Sequence, residues 1–320
     1  GGLGFLAGDF IKECSDLCVP LVAVGFMYPE GYFKQRIPDD GWQQNLIESV
    51  NREAAPISKV MGKDGNQLVI KVPLTDPAIH VAVWKVSVGH ISLYLMDTNI
   101  EINDPWNRGI SARLYTGDLE QRLRQEIVLG LGGAQMLKAL GIDHYLLHLN
   151  EGHAAFAILE RIRETIATGK DFSAALKKNI NGTIFTTHTP VPAGHDVFPF
   201  QLIEKYFHSY WPSLELDRNA FFQLGIHPEK PEQGFNMTAF AMRLSGCRNA
   251  VSRRHAQVSQ NMWQSLWPDV PEDKVPIDYV TNGIHVPTWI EPKMKLLLDK
   301  YIGADWLDRH DDPAVWQNID

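Results

Sequence analysis

Leu6, Phe10, Cys14 and Leu17 recur at helical spacing directly after Gly1-Gly2-Leu3-Gly4, which predicts a tight glycine turn followed by an amphipathic helix. Val19-Pro20-Leu21-Val22-Ala23-Val24-Gly25-Phe26 then runs without a charged residue, the pattern of a strand covered on both faces. The period changes to two over Gln67–Val72 and Ile79–Val86. Asp64-Gly65 supplies hairpin chemistry before the first run, and Gly89-His90 separates the second from Ile91–Leu95. Residues 57–96 therefore predict an antiparallel β insertion. Helical spacing returns over Leu119–Leu140. A strand is expected at His144–Leu149, a helix at Ala154–Thr168 and a strand at Thr183–Thr187. Arg248–Ser252 and Ile277–Val280 read as later strands, with a helix over Arg254–Trp267 between them. Strands alternating with helices imply an α/β fold with a parallel sheet and right-handed crossovers. Ligands of such sheets lie beyond the carboxyl ends of the strands, so the segments that follow each strand carry the functional question.

Composition narrows the classes. With 320 residues, 44% hydrophobic and 21% charged, the chain can bury a sizeable core. A net charge of −8 argues against non-specific nucleic-acid binding, which needs clustered Lys and Arg. Cys14, Cys18 and Cys247 form no metal-ligand pattern, and their odd, sparse count suits a reducing cytoplasm. No run is long and apolar enough for a membrane span. Both ends read as cut. The glycine turn has nothing before it, and Asp312-Pro313-Ala314-Val315-Trp316 is the opening of a helix.

Three segments could carry chemistry. The glycine turn lets backbone N–H groups approach a phosphate or a sugar hydroxyl, although taken alone it is more simply a turn without a ligand. Asn150-Glu151-Gly152-His153 follows a strand and opens a helix. Glu151 can accept from sugar hydroxyls and His153 can donate, while a helix cap with Asn150 as its first residue accounts for the same residues equally well. Thr186–His195 also follows a strand, and its two prolines and glycine impose an irregular loop around His188, with His195 as a staple. His144, His148 and His153 match no zinc spacing, so no metal site is expected.

Taken together, these motifs resemble the α-glucan phosphorylase family. The likeness rests on Gly1–Asp9, on Asp16–Val22, on Gly31-Tyr32-Phe33-Lys34-Gln35 and on Asn150–His153. Thr187-His188-Thr189, Asn236-Met237 through Asn249–Ser252, and Thr281-Asn282-Gly283-Ile284 continue it in the family's order. The resemblance covers nearly the whole chain. It implies a Rossmann-like N-terminal lobe of a two-lobed GT-B glycosyltransferase fold, with residues 1–320 as a partial lobe and the C-terminal pyridoxal-phosphate lobe absent. The implied reaction is phosphorolysis of terminal α-1,4-linked glucose to glucose 1-phosphate, with pyridoxal phosphate as cofactor. The implied partners are glycogen, starch or maltodextrin together with inorganic phosphate. A homodimer of the intact enzyme is left open, and nucleic acid and membrane are not expected.

By motif, the backbone of Gly1 and Gly2 would face phosphates, Gly2 that of the cofactor, and Leu3 would lie against the glucosyl unit. The main-chain carbonyl of His188 would stabilise the transition state. Glu151 and His153 would line the acceptor side. Asp118 and Arg122 resemble a substrate-gating loop and the arginine after it, although Leu114–Arg122 is shorter than in animal phosphorylases. Control through that loop is therefore doubtful. No counterpart of the Schiff-base lysine is found in the chain, so the chain alone is expected to be inactive. A nucleotide-sugar-dependent glucan synthase of the same fold and a non-enzymatic carbohydrate-binding module are the rival readings.

Overall fold

The first helix begins earlier than the glycine turn implies: α1 spans Gly2–Asp16, so Gly2, Leu3 and Gly4 form its first turn. In the computed structural model, residues 2–30, 34–46, 49–74, 77–114 and 117–317 are described, with the backbone alone for Gly2 and Leu3. Gly1, Gly31-Tyr32-Phe33 and Tyr115-Thr116 lie outside the described residues. Backbone contacts separate two compact units, one of Gly1–Pro20, Val88–Ile91 and Asn282–Asp320, the other of Leu21–Ser87 and Ser92–Thr281.

In the first unit, polar anchors set which side of α1 is buried. Asp9 accepts from the Trp289 indole N–H at 2.7 Å, and the Ser15 hydroxyl accepts from the His90 amide at 2.9 Å. Ile11 and Cys14 are buried beside these anchors, whereas Phe10 and Leu17, expected on the covered face, are 44% and 66% exposed. The helix anticipated at Pro313 is present over Pro313–Trp316, with Asp312 capping it through the Ala314 amide.

The second unit holds the sheets. The apolar run after α1 forms β1, Val22–Phe26, and its partner is the insertion. There β2 (Ser58–Lys59) and β3 (Val69–Val72) both pair antiparallel with β4 (Ile79–Val88). β5 (Ile91–Asp97) neighbours β4 and pairs parallel with β1, Val24 opposite Tyr94. These strands share a five-stranded sheet with β1. Within it, alternate residues of β3 are buried, Ile70 and Val72 inward and Val69 and Lys71 outward, as period-two patterning requires.

The helix expected over Leu119–Leu140 is α2 (Leu119–Ile127) and α3 (Gly133–Ala139), joined by a wider π turn at Val128–Gly132. Its glycines admit close packing: a Cβ on Gly130 would fall 2.7 Å from Phe156 Cβ and 2.8 Å from the Ala157 nitrogen. Beyond it lies a four-stranded parallel sheet of β6 (Leu147–Asn150), β7 (Thr183–Thr187), β8 (Cys247–Ala250) and β9 (Asp278–Tyr279), in the order β9-β8-β7-β6. Its register places Asn150, Thr186, Asn249 and Asp278 in one row near the carboxyl ends.

Helices α4 (Ala157–Ile166), α5 (Phe172–Ile180), α6 (Met237–Leu244) and α7 (Arg253–Trp263) alternate with these strands. Alternating patterning did not mark α6, because nearly every residue from Met237 to Leu244 is buried and the helix has no polar face to set a period. Phe156, just after the Asn150–His153 segment, packs on Phe207, Phe235 and Phe240 with ring centroids 4.7, 6.3 and 5.8 Å away. That aromatic cluster ties the segment to the core. The fold is mixed α/β with parallel and antiparallel sheets. Among the described residues no helix is long and apolar enough to cross a membrane.

Candidate functional site

Two strand ends meet at Glu151. One oxygen of its carboxylate, Oε2, accepts from the amides of His188 (2.8 Å) and Thr189 (3.1 Å) and from the Thr189 hydroxyl (3.0 Å). The segment after β6 therefore clamps the loop after β7, and both peptide groups flanking the His188 Cα–Thr189 link are fixed. The Glu151 backbone is itself held at φ 70°, ψ 177°, a region that residues with a side chain rarely enter. Three hydrogen bonds to one carboxylate oxygen offset the cost of that conformation. Its second oxygen, Oε1, is buried and has no partner among the described residues. Burial raises the Glu151 carboxyl above the usual range, while the hydrogen bonds from His188 and Thr189 oppose the rise.

Asn150 does not cap a helix. Its Oδ1 meets His188 Nε2 at 2.5 Å, which makes Nε2 the protonated nitrogen and leaves Nδ1 without a proton. Burial, with His255 and His148 nearby, pushes the His188 imidazole down to about 4, so it is neutral at physiological pH. Two residues earlier on β6, His148 Nε2 lies 2.8 Å from the Thr186 hydroxyl, which donates to Asn249 Oδ1 at 2.9 Å. These side chains tie β6, β7 and β8 together across the sheet.

Asp118 caps α2 by accepting from the Gln121 amide at 2.7 Å. Arg122, one turn on, reaches the loop after β7: its Nη2 donates to Asp196 Oδ2 at 2.8 Å, and its Nε is 3.2 Å from Glu126 Oε1. Burial lowers the Arg122 guanidinium, but Glu126 and Asp196 outweigh it and raise the group above its ordinary value. His153 is pushed down to about 4, by burial first and then by the charge of Arg122. His195 staples the loop, Nδ1 against the Thr238 hydroxyl at 2.9 Å and Nε2 against Met262 Sδ at 3.4 Å.

The structure thus gathers Asn150, Glu151, His153, His188 and Arg122 in one unit, with Asp118 on the helix that carries Arg122. Gly2 and Leu3 belong to the other unit, and Gly1 is outside the described residues. Asp196 and Glu126 escaped the reading of the sequence. Their signal was the i,i+4 spacing of Arg122 and Glu126 on a helix and the position of Asp196 directly after the constrained loop. Among the described residues no group of three or more His, Cys, Asp or Glu could hold a metal ion. The cluster offers oriented donors and acceptors around a fixed loop, plus one guanidinium, a composition suited to a polyhydroxylated ligand and an anion.

The histidines make stability depend on pH. His153, His188 and His195 each lie at about 4 against an ordinary value of 6.5. An imidazole depressed by folding contributes stability that is complete above its unfolded value and is lost as pH falls through its folded value. Acidification across that window is expected to cost on the order of a few kcal/mol in total, less for the part-exposed His188. Urea midpoints measured over the same range test this, and a midpoint that stays flat contradicts it.

No family model matches the chain. Over its full length it is 44% identical to a glycogen phosphorylase of Aquifex aeolicus, of which it covers 46%. It is likewise 43% identical to a maltodextrin phosphorylase of Thermococcus litoralis and 39% identical to a glycogen phosphorylase of Mycobacterium tuberculosis, covering 38% of each. The chain therefore spans less than half the length of these relatives. The resemblance read from the motifs holds along the entire chain.

Proposed function

We propose that this chain, related over its whole length to the α-glucan phosphorylases, forms one wall of an active site that transfers terminal α-1,4-linked glucosyl units to inorganic phosphate. The observation that carries this reading is the Glu151 clamp on the His188–Thr189 amides, which holds a loop rigid at the ligand edge of a parallel sheet. In the reaction a phosphate oxygen bonds to the glucosyl anomeric carbon, the glycosidic C–O bond breaks, and the freed hydroxyl takes a proton. His188 serves the glucosyl unit through its main-chain carbonyl, whose peptide neighbour Glu151 immobilises. Glu151 and His153 line the acceptor side, and Arg122, carried on the helix that Asp118 caps, faces the same region. The architecture is the N-terminal lobe of a GT-B fold with residues 57–96 inserted. The protein is cytoplasmic.

Pyridoxal phosphate is the cofactor of this reading. The chain fits it at one place: α1 starts at Gly2 with no acidic side chain in its first turn, so the free amides of that turn suit a phosphate group. The Schiff-base lysine would come from outside these residues. When bound, the cofactor supplies a phosphate that exchanges a proton with the substrate phosphate.

The test is the full-length protein incubated with phosphate and either glycogen or maltodextrin, with glucose 1-phosphate measured. Product is expected. Glucan extension from ADP-glucose without phosphorolysis would assign the protein to the synthases instead, and glucan binding with neither activity would mark a binding module.

A further inference from the structure

Arg122 stands between two acids. Its Nε is 3.2 Å from Glu126 Oε1 and 3.3 Å from Asp196 Oδ1, and its Nη2 is 2.8 Å from Asp196 Oδ2. The Glu126 side chain is 1% exposed and that of Asp196 31%. If both carboxyls were ionised, the three groups would carry a net negative charge. Arg122 Nε, which donates to Asp196, is the donor that comes near Glu126 Oε1, and neither Glu126 oxygen accepts a well-aligned hydrogen bond among the described residues. An ionised carboxylate so placed would keep its lone pairs unsatisfied inside the protein, a state that buried acids relieve by taking up a proton.

We propose that Glu126 is a positioning residue that works as the neutral acid, donating its O–H to Asp196 so that the pair holds Arg122 beside His153 with no net charge on the three groups. The electrostatics agree. Burial, then the Asp196 charge, push the Glu126 carboxyl well above the glutamate range, with Arg122 opposing. Asp196, which burial would raise, is held below its ordinary value by Arg122. The charged and titratable groups that face this cluster are Tyr28 on Arg122, His153 and His195 on Asp196, and Glu151 near Asp196. The proton therefore belongs to Glu126, the more deeply buried partner. A neutral cluster leaves an incoming phosphate anion unopposed, whereas an ionised Glu126 would repel it. This consequence rests on the phosphorolysis reading given above.

Steady-state kinetics of the full-length protein, wild type against E126Q and E126A, tests the assignment from mildly acidic to alkaline pH. E126A is expected to lower kcat/KM for phosphate by about tenfold to a hundredfold, because Arg122 loses its fixed geometry. E126Q keeps the shape of the neutral acid and should restore most of that loss. In the wild type the phosphate KM should climb as pH rises through the Glu126 ionisation, a climb that E126Q removes. Infrared spectroscopy supplies a readout independent of turnover: the carbonyl stretch of a protonated carboxylic acid should be present in wild type at neutral pH and missing from E126Q. An E126Q protein as impaired as E126A, or a wild-type spectrum without that band, overturns the proposal. A wild-type protein without phosphorolysis strikes the functional reading instead, and the infrared band then still decides the protonation of Glu126.

Discussion

Replacing His188 by alanine in the full-length protein is expected to lower turnover by about a hundredfold or more while glucan affinity changes only a few-fold. The Glu151 carboxylate holds the peptide groups around His188, and the His188 ring adds a second tether through Nε2 to Asn150 Oδ1. Removing the ring frees Asn150 and loosens the main chain where, on the phosphorolysis reading, charge would develop in the transition state. A contact that tightens only in the transition state appears in kcat rather than in ground-state binding. His144 provides the control. It lies before the amino end of β6, bonded to the Ile142 backbone and not in the segments that follow the carboxyl ends, so His144→Ala should leave the ratio of kcat to KM unchanged. Equal losses of turnover in the two variants would remove His188 from the reaction.

Arg122→Ala is the largest expected loss of stability at the site. Truncating one partner of a buried ion pair typically costs about 3–5 kcal/mol, because the remaining charge is left without compensation. Asp196 is 31% exposed and water can reach it, which places the expected value near the lower end, about 3 kcal/mol. Adding Asp196→Asn should recover part of the loss, since the stranded charge is then gone. Chemical denaturation of the single and double variants measures both quantities. A single-variant loss under about 1 kcal/mol would class the contact with surface ion pairs, which contribute little.

Much of the site was legible as segments. Asn150–His153 and Thr186–His195 stood out because each follows an apolar run of strand length and breaks it with residues that polar ligands need. The parallel-sheet rule then placed both at one edge, and in the structure Asn150 lies opposite Thr186. The contacts themselves were not legible. Nothing in the order of residues says that Glu151 would spend its carboxylate on the amides 37 and 38 positions later, or that Asn150 would meet a histidine ring instead of capping a helix. Likewise Asp118 could be read as a loop residue, and only the geometry of the Gln121 amide shows it starting α2.

Local pattern by itself determined where most strands and the amphipathic helices form, which segments are irregular, and the family to which the motifs point. These features depend on neighbours within a turn of helix or across one pleat, so a few residues suffice to specify them. Tertiary structure decided the rest. β1 pairs with β5, some seventy residues away, because burial across sheets chooses the partner and the intervening loop sets only a small entropic cost. The covered side of α1 follows from hydrogen bonds of Asp9 and Ser15 to residues far along the chain, and these outweigh the apolar stripe of Phe10 and Leu17. The charge states at the strand ends are tertiary as well, because burial and the nearest charge, both properties of the folded surroundings, shift His153, His188 and Glu126 from their ordinary values.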